Sequence, residues 1–381
     1  MKTGICLNMI IKNEAHILPR LFASLHTVID YYVISDTGST DNSIELVKEL
    51  GEKYHIEGII ESHPWVDFSH NRNIALQMAN RALREHKHQC KWWLVFDPDE
   101  ELMIHDADFA KKLNPAISYQ IPKTYKNFII TPLLLMSFEQ NEWRWQGAIH
   151  NQLENTSDNK QIQLLEGLSI KCHLFEGNKS KAFANQKEKS IRDAELLEIE
   201  LKESIPTSTN IQRYFSLANE YHESQQIEKA IVNFNIVVQH QNFAPKAITY
   251  FALLQLGNIY FEQYKDQSKA FEYYTKAAAI IKNRKEAFYF MAKIHLLKKE
   301  YTEANRLLEI AANKASDITV TLAYNDIYLW KVDFDTVLVK IQLKQRSQAR
   351  MIFNQLILNN NLPLDRKKIL LSLEKKYFFK I

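Results

Sequence analysis

The stretch that decides the fold of the first half is residues 92–101, which reads Trp-Trp-Leu-Val-Phe-Asp-Pro-Asp-Glu-Glu. Its first five residues are a continuous apolar run, typical of a strand covered on both faces of a sheet. The run ends in two carboxylates, Asp97 and Asp99, separated by one residue. Because open α/β sheets bind ligands at the carboxyl ends of their strands, this pair indicates oxygen ligands for a hard cation such as Mg²⁺ or Mn²⁺.

Two earlier runs extend the same sheet. Residues 5–11 and 31–35 are also continuous apolar or β-branched runs, and residues 14–27 between them carry apolar side chains at helical spacing. This order is a βαβ unit, so we predict a doubly wound α/β sheet. The polar stretch 155–160 separates two later β-like runs and predicts a hairpin, which makes part of the sheet antiparallel.

The second half of the chain is almost entirely helical in pattern. Residues 182–202 form a long charged amphipathic helix that ends in the breaker-rich stretch 203–210, where we place a hinge. Beyond the hinge, the small residues Ala218, Gly257 and Ala292 recur in register. Each is followed three residues later by Tyr221, Tyr260 and His295, and further on by two more matching sets: Ala230, Ala270 and Ala304; Phe234, Tyr274 and Leu308.

This period of roughly 34 residues is typical of tetratricopeptide-like helix pairs, in which small residues let the helices approach and aromatic residues fill the gap. We count three good repeats, a weaker fourth that begins at Trp330, and a last helix over 366–379 that would cap the array. Such an array predicts either peptide binding or the pairing of two chains as a homodimer.

Composition limits the class of protein. The 381 residues are 46% hydrophobic and 24% charged, which predicts a soluble globular chain of two or three domains. The 48 basic and 45 acidic residues are too nearly balanced to indicate nucleic acid or an anionic membrane as partner. The three cysteines do not describe a disulfide framework, and the chain contains no signal-peptide pattern and no transmembrane segment. We therefore expect a cytoplasmic protein.

Two further polar motifs accompany Asp97 and Asp99. Residues 35–42 read Ser-Asp-Thr-Gly-Ser-Thr-Asp-Asn; Gly38 permits a tight turn, and the residues after it can cap a helix. Capping does not require Asp36, whose carboxylate would accept hydrogen bonds from a ribose or base. In residues 65–73, Arg72 opens a helix and its guanidinium would clamp a phosphate.

These motifs carry a resemblance to a known family. Residues 9–14, 36–41, 65–73 and 97–100, in this order and spacing, resemble the family 2 glycosyltransferases with the GT-A fold over residues 1 to about 175. The chain also resembles the subgroup with C-terminal tetratricopeptide repeats, which includes bacterial peptide S-glycosyltransferases and cell-envelope glycosyltransferases. The resemblance implies an inverting, hexosyltransferase-like enzyme that uses a nucleotide-diphosphate sugar, most simply a UDP-sugar, and a divalent metal, Mg²⁺ or Mn²⁺.

The resemblance also implies site residues. The implied nucleotide-sugar site has five members: Asn13, Glu14, Asp36, Arg72 and Asp97. The implied metal site has three members: Asp97, Asp99 and His173.

The sequence leaves the identity of the general base open. Residues 143–153 resemble a family segment that typically reads Gly-x-Val-His-Glu, but Asn151 stands where the glutamate is usual, and a carboxamide has no basic lone pair near neutral pH. His150, Glu142 and Glu139 are substitutes, or an acidic acceptor such as a thiol would need little help. Trp145 would position the sugar through its aromatic face, or it is a core residue.

Two functions from different classes follow. The first is a glycosyltransferase, with a GT-A domain over 1–178, a connecting helix and hinge over 179–209, and helical repeats over 210–381, that transfers a sugar to a peptide, protein or glycan acceptor. The second is a tetratricopeptide interaction scaffold whose transferase domain has lost its chemistry, for which Asn151 is the support. A nucleotidyl or phosphoryl transferase is a third class, but the chain lacks a Gly-x-x-x-x-Gly-Lys loop.

Overall fold

The computed structural model describes residues 3–86, 90–125, 128–130, 132–138, 142–147, 149, 151–155, 161–173, 185–314 and 322–378. The chain divides into two compact units. The first unit comprises Met1–Ser204 and Glu223–Gln225, and the second comprises Ile205–His222 and Gln226–Ile381. The division falls within the region 179–209 that the sequence predicts to connect two domains.

The first unit is rich in strands. In chain order they are β1 (Ile5–Ile11), β2 (Tyr31–Asp36), β3 (Glu57–Ser62), β4 (Trp92–Val95), β5 (Glu100–Ile104), β6 (Ser118–Gln120), β7 (Lys123–Tyr125), β8 (Phe128–Ile130), β9 (Leu133–Ser137), β10 (Trp143–Gln146), β11 (Gln152–Asn155), β12 (Ile162–Leu164) and β13 (Leu168–Cys172). Its helices are α1 (Leu18–Leu25), α2 (Ser43–Tyr54), α3 (Phe68–His86) and α4 (Gln186–Leu201), with a 3₁₀ turn at Phe109–Lys112.

Seven strands form the main sheet, in the order β12-β6-β9-β4-β1-β2-β3. The strands β4, β1, β2 and β3 are parallel to one another, whereas β9 runs antiparallel to both β4 and β6. Every residue of β1, β2 and β4 is buried, as their continuous apolar runs predict. A second sheet contains β8, β7, β13 and β5, and β10 pairs with β11.

Two predictions about this unit are corrected. The strands on either side of residues 155–160 do not form a hairpin, because β11 pairs with β10 and β12 pairs with β6. The predicted GT-A class with a doubly wound sheet is also corrected. The parallel, doubly wound part is limited to β4, β1, β2 and β3, and β9 is antiparallel in the sheet interior, which agrees with the expectation of a partly antiparallel sheet. Most of the described helices lie in the second unit. The fold is therefore a helix-rich chain with a strand-rich N-terminal region.

Helix pairs dominate the second unit. Its helices are α5 (Ile211–Glu223), α6 (Ile227–Gln239), α7 (Lys246–Glu262), α8 (Gln267–Ile280), α9 (Glu286–Leu297), α10 (Tyr301–Ala312), α11 (Val332–Gln342), α12 (Arg346–Leu356) and α13 (Leu364–Leu373), with a short strand β14 (Leu322–Tyr324) and π-helical turns at Ile327–Lys331 and Glu374–Phe378. The pairs α5–α6, α7–α8 and α9–α10 coincide with the three repeats read from the sequence.

The recurring small residues sit where helices of a pair meet. Ala218, Gly257 and Ala292 are all buried, and a Cβ added to Gly257 would collide with the ring of Tyr274 on α8. Tyr274 is 1% exposed and its hydroxyl donates to Asn258 Oδ1 at 2.8 Å. In the second repeat the pattern thus reflects a real helix contact, with the small residue on one helix against an aromatic ring on the next.

Two further findings concern the whole chain. Within the described residues, no helix combines the length and the apolar character needed to cross a bilayer.

Cys6 on β1 and Cys90, which precedes β4, form a disulfide bond, whereas Cys172 is free. The spacing of the three cysteines, which does not describe a disulfide framework, therefore gave no indication of this pair.

Candidate functional site

A cleft of about 160 Å³ opens in the first unit at the carboxyl ends of β1, β2 and β4. It lies there because the three strands are parallel, so the residues that follow each of them meet at one edge of the sheet. The cleft is lined by Ile10, Ile11, Lys12, Glu14, Thr37, Phe68, Arg72, Asp97, Pro98 and Asp99. Two cations and three carboxylates therefore share one small opening.

Arg72 is held on the wall of this cleft. It lies in α3, and its Nη2 donates to Asp97 Oδ1 at 2.5 Å. The guanidinium carbon lies 4.6 Å from the ring centroid of Trp145 on β10, within reach of a cation–π contact. Asn73 fixes that strand, since its amide accepts from Trp145 N at 2.8 Å and donates to Trp145 O at 2.9 Å. Arg72 is thus positioned by a carboxylate on one side and an aromatic face on the other.

The turn that carries Asp97 and Asp99 rests on a buried ion pair. Glu100 is 2% exposed; its Oε2 accepts from Asp97 N at 3.1 Å, and its other oxygen contacts the Lys123 ammonium. Burial disfavours the charged form of Lys123, but the Glu100 and Asp97 carboxylates outweigh it and raise the Lys123 pKa. No sequence motif points to Lys123, because it comes from β7, outside all of them.

Asp99 is in an unfavourable electrostatic environment. Burial, and then the adjacent Asp97 carboxylate, raise the pKa of Asp99 above its ordinary value. A bound cation would relieve this repulsion. Across the described residues, no three His, Cys, Asp or Glu side chains are grouped closely enough to hold a metal by themselves. A metal here would need ligands other than protein, as Mg²⁺ commonly takes from phosphates and water.

The loop after β2 is fixed by its own polar groups. Asp36 is 1% exposed, and its carboxylate accepts from the backbone N–H groups of Gly38 and Ser39 at 3.1 Å each. Gly38 has a φ of 97°, which a side chain would strain. Asn13 Oδ1 accepts from Thr40 N at 2.6 Å. Neither Asp36 nor Asn13 lines the cleft, so each supports the loop beside it.

The remaining predicted residues do not line the cleft where the structure describes them. His173 follows β13; its ring contacts Glu101 Oε2 at 2.8 Å, and its backbone N–H donates to the Asp99 carbonyl oxygen at 2.9 Å. Glu142 is exposed, and the Asn151 amide nitrogen is buried with no hydrogen-bond partner among the described residues. His150 and Glu139 lie outside the described residues. Of the predicted site residues, the cleft gathers Glu14, Arg72, Asp97 and Asp99.

A second polar cluster is buried in the helical array. Arg284 and Glu286 are 3% and 0% exposed, and Arg284 donates to both Glu286 oxygens. Glu286 also accepts from the hydroxyl of Tyr250 at 3.2 Å and from that of Tyr328 at 2.8 Å. The Arg284 guanidinium stacks over the ring of Tyr250 at 4.9 Å. Because this cluster is closed to solvent and both Glu286 oxygens are paired, it stabilises the array and does not form an open site.

Known proteins are similar to part of this chain. No protein-family model matches the chain. The chain is similar to a TPR repeat-containing protein of Synechococcus elongatus, with 34% identity over 100 residues, which is 26% of this chain and 21% of the relative. The chain thus spans about a fifth of the length of that curated relative.

Three solved structures are also similar to part of this chain. The chain is similar to the apo form of the quorum sensor NprR from B. thuringiensis (18% identity, 50% of this chain and 56% of that chain, TM-score 0.39). It is also similar to NprR in complex with its cognate peptide NprX (18% identity, 51% of this chain and 58% of that chain, TM-score 0.33). A third similar structure is a thermophilic TPR protein of Thermus thermophilus (12% identity, 49% of this chain and 90% of that chain, TM-score 0.31).

These findings correct the family prediction. The resemblance to family 2 glycosyltransferases is overturned, because no family model matches and the curated relative is a TPR repeat-containing protein. The predictions of a glycosyltransferase activity and of the GT-A fold fall with it. The predicted nucleotide and metal sites are not tested by these findings and stay predictions. The findings support the second predicted function, an interaction protein built on tetratricopeptide-like repeats.

Proposed function

We propose that the chain is an interaction protein whose helical array binds an extended peptide segment of a partner protein, and whose first unit binds a nucleoside diphosphate together with a divalent metal. Sugar transfer forms no part of this proposal. The two binding activities rest on separate observations in separate units.

The observation that carries peptide binding is a row of polar side chains on the first helices of three repeats. Asn219, Asn258 and Lys293 each follow the buried small residue of their repeat directly, on α5, α7 and α9, and all three are half-buried. Stacked repeats place equivalent positions side by side, so these residues share one face of the array, here called the inner face. Amide and ammonium groups at regular spacing are suited to the backbone carbonyls of an extended peptide.

A matched pair of variants tests this binding. Asn219 lies on the inner face, and its amide nitrogen donates to Phe215 O at 2.8 Å. Asn233 on α6 makes the same local contact, with Lys229 O at 2.9 Å, but on the second helix of the repeat. A phage-displayed random peptide library is panned against the full chain, and the dissociation constants of selected peptides are measured by fluorescence anisotropy.

We expect Asn219→Arg to weaken selected peptides at least about tenfold, since a long charged side chain fills the inner face, while Asn233→Arg leaves them unchanged. Equal loss in both variants, or a library that yields no binder, would count against the proposal. Circular dichroism of both variants checks that the helices are intact.

The observation that carries nucleotide binding is the charge arrangement of the cleft. Lys12 and Arg72 are placed to contact phosphate oxygens, and Arg72 presents the forked donor that phosphates favour. Asp97 and Asp99 would supply the protein ligands of a Mg²⁺ or Mn²⁺ ion whose other ligands are phosphate oxygens. Bound metal would neutralise the repulsion that raises the pKa of Asp99. Glu14 and Asp36 at the nucleoside, and His173 at the metal, stay predictions.

Thermal shift tests this site. We expect the melting temperature of the full chain to rise with one of UDP, GDP or dTDP in the presence of Mn²⁺, and the rise to vanish with EDTA, because a ligand that binds only the folded state stabilises it. Arg72→Met should abolish the rise. Arg81→Met is the matched control, since Arg81 lies on the same helix and pairs with the exposed Glu61. No rise with any of the three nucleotides would contradict the proposal.

Two finer predictions accompany this function. A homodimer formed through the helical repeats is the alternative to peptide binding, and light scattering after size-exclusion chromatography separates the two. A monomer at every concentration would exclude the homodimer. Location in the cytoplasm likewise stays a prediction.

A further inference from the structure

A second cavity of the first unit, about 910 Å³ in volume, lies between α3 and β10. Residues 143–147 line it on the side of β10, and residues of α3, among them Asn73, Gln77 and Asn80, line it on the other side. It shares no lining residue with the cleft described above. Ligand pockets usually enclose about 300–1,000 Å³, so this cavity is at the upper end of the range for a bound ligand.

The contact that holds β10 beside α3 shows how this helix binds an extended chain. Asn73 Oδ1 accepts from Trp145 N at 2.8 Å, and Asn73 Nδ2 donates to Trp145 O at 2.9 Å. These are the two hydrogen bonds that a residue of a neighbouring strand would make. The side-chain amide can replace that residue because it carries a carbonyl acceptor and N–H donors. One amide of α3 thus clamps both backbone groups of a strand residue.

Gln77 and Asn80 continue the position of Asn73 along α3. The three residues are spaced by four and three, so they lie on one face of the helix, and all three line the cavity. Gln77 is exposed and Asn80 is half-buried. Among the described residues, neither of these two amides makes a hydrogen bond, whereas the Asn73 amide makes two. The row therefore has one amide in use and two that are available to a ligand.

The spacing of this row fits an extended peptide. Residues four apart on a helix are about 6 Å apart along its axis, and residues three apart are about 4.5 Å apart. Alternate residues of a strand are about 6.6 Å apart, and they turn their backbone groups to the same side. The longer side chain of Gln77 makes up the difference to Asn80. The two amides are therefore placed to meet alternate residues of a chain that lies along α3, as β10 does at Asn73.

We propose that this cavity binds an extended peptide segment of a partner protein, and that Gln77 and Asn80 clamp the backbone of two alternate residues of that segment. Proline is excluded at the two clamped positions, because it lacks the N–H that the amide carbonyl accepts. The site lies in the first unit, so this inference does not rest on the peptide binding proposed for the helical array.

The test starts from a random peptide library panned against the full-length Asn219→Arg variant, in which the inner face of the array is blocked. We expect Gln77→Glu and Asn80→Asp, each added to this variant, to weaken the selected peptides at least about tenfold, because a carboxylate has the shape of the amide but cannot donate. Arg84→Gln is the control, since Arg84 is exposed on the same helix and does not line the cavity. Unchanged affinities in both amide variants, or a library without binders, would overturn the inference.

Backbone methylation of the peptide adds a readout that does not depend on the folding of any variant at α3. Each residue of a selected peptide is N-methylated in turn, and its dissociation constant with the wild-type chain is measured by fluorescence anisotropy. We expect a loss of at least about tenfold at two positions that are two residues apart, and no loss at the residue between them, because only alternate N–H groups face α3. A profile that does not alternate would overturn the inference.

The outcomes separate this inference from the proposed function. If peptides selected on the wild-type chain lose binding in Asn219→Arg and none responds to Asn80→Asp, the array binds peptides and only this inference fails. If Asn80→Asp weakens the selected peptides and Asn219→Arg weakens none, the array proposal fails and this inference stands. A dimer in light scattering that Asn80→Asp breaks would overturn the peptide in favour of a second copy of the chain.

Discussion

The two units differ in the burial and the pairing of their charged side chains. In the first unit, Lys12, Arg72, Asp97 and Asp99 converge on an open cleft, where like charges lie close together. In the second unit, Arg284 and Glu286 are almost completely buried, and both Glu286 oxygens are paired with neighbours. The difference teaches that the polar groups proposed to bind a ligand are left under electrostatic strain, whereas the carboxylate that fixes the helical array is matched by a cation and by hydrogen-bond donors.

The largest expected effect comes from breaking the buried pair of the array. Arg284→Met leaves the Glu286 carboxylate buried without its cation, so we expect a loss of about 3–5 kcal/mol in the free energy of unfolding. Urea titration followed by circular dichroism measures it. Arg306→Met is the control, because Arg306 pairs with Glu303 on an exposed surface and should cost less than about 1 kcal/mol. Similar losses in both variants would show that burial does not distinguish the two pairs.

The next effect tests the helix contact that the repeat pattern predicts. Replacing glycine by alanine inside a helix normally stabilises it by about 1 kcal/mol. At Gly257 we expect the opposite, a loss of about 1–3 kcal/mol, because the added methyl group collides with Tyr274. In a Tyr274→Leu background the same alanine should be neutral or stabilising. A stabilising Gly257→Ala in the wild-type chain would contradict this packing.

Gly257 and Tyr274 also show why the array is readable from sequence. A small residue and a large residue recur at nearly the same spacing in each helix pair. The sequence pattern of one repeat therefore predicts which residues are in contact. The central strands of the sheet can be predicted for a related reason. Because β1, β2 and β4 are buried on both faces, each is a continuous apolar run in the sequence. The pairing of β12 with β6 is not readable, because pairing between distant strands leaves no mark on either one.

The cleft is predictable in part for the same reasons. The sequence predicts the end of the strand before Asp97 and Asp99, and the start of the helix that carries Arg72. The fold brings these three side chains together at one cleft. Lys123 beneath Glu100 escapes sequence analysis, since a single lysine on a short strand has no pattern of its own. The hydrogen bond from Asn258 to the hydroxyl of Tyr324 also escapes sequence analysis, because the two residues are 66 positions apart in the sequence.

A smaller effect compares helix ends in the two units. Asp266 caps α8 by accepting from Lys269 N at 2.9 Å, and Asn185 caps α4 by accepting from Glu188 N at 3.1 Å. Each alanine substitution should cost about 1 kcal/mol, because each leaves one backbone N–H without its partner. Thermal denaturation of both variants measures the loss. A clear difference between them would mean that the units differ in local structure as well as in their charge clusters.

The smallest effect has the opposite sign and separates binding from stability. Burial and the Asp97 carboxylate make the ionised form of Asp99 unfavourable in the folded chain, as its raised pKa indicates. Asp99→Asn removes that charge without changing the shape of the side chain, so we expect a gain of about 0.5–1 kcal/mol in stability. The same variant should lose the Mn²⁺-dependent rise in melting temperature with nucleotide, because one proposed metal ligand is gone.

Both results belong to one measurement, a thermal melt with and without Mn²⁺ and nucleotide. Asp326→Asn is a suitable control, since Asp326 pairs with Lys331 in the helical array at 2.8 Å and its removal should not stabilise the chain. If Asp99→Asn destabilises the chain as a structural carboxylate would, the cleft is not under electrostatic strain, and the contrast between the two units is wrong. If it stabilises the chain and abolishes the metal response together, the strain at Asp99 is the free energy that a bound cation releases.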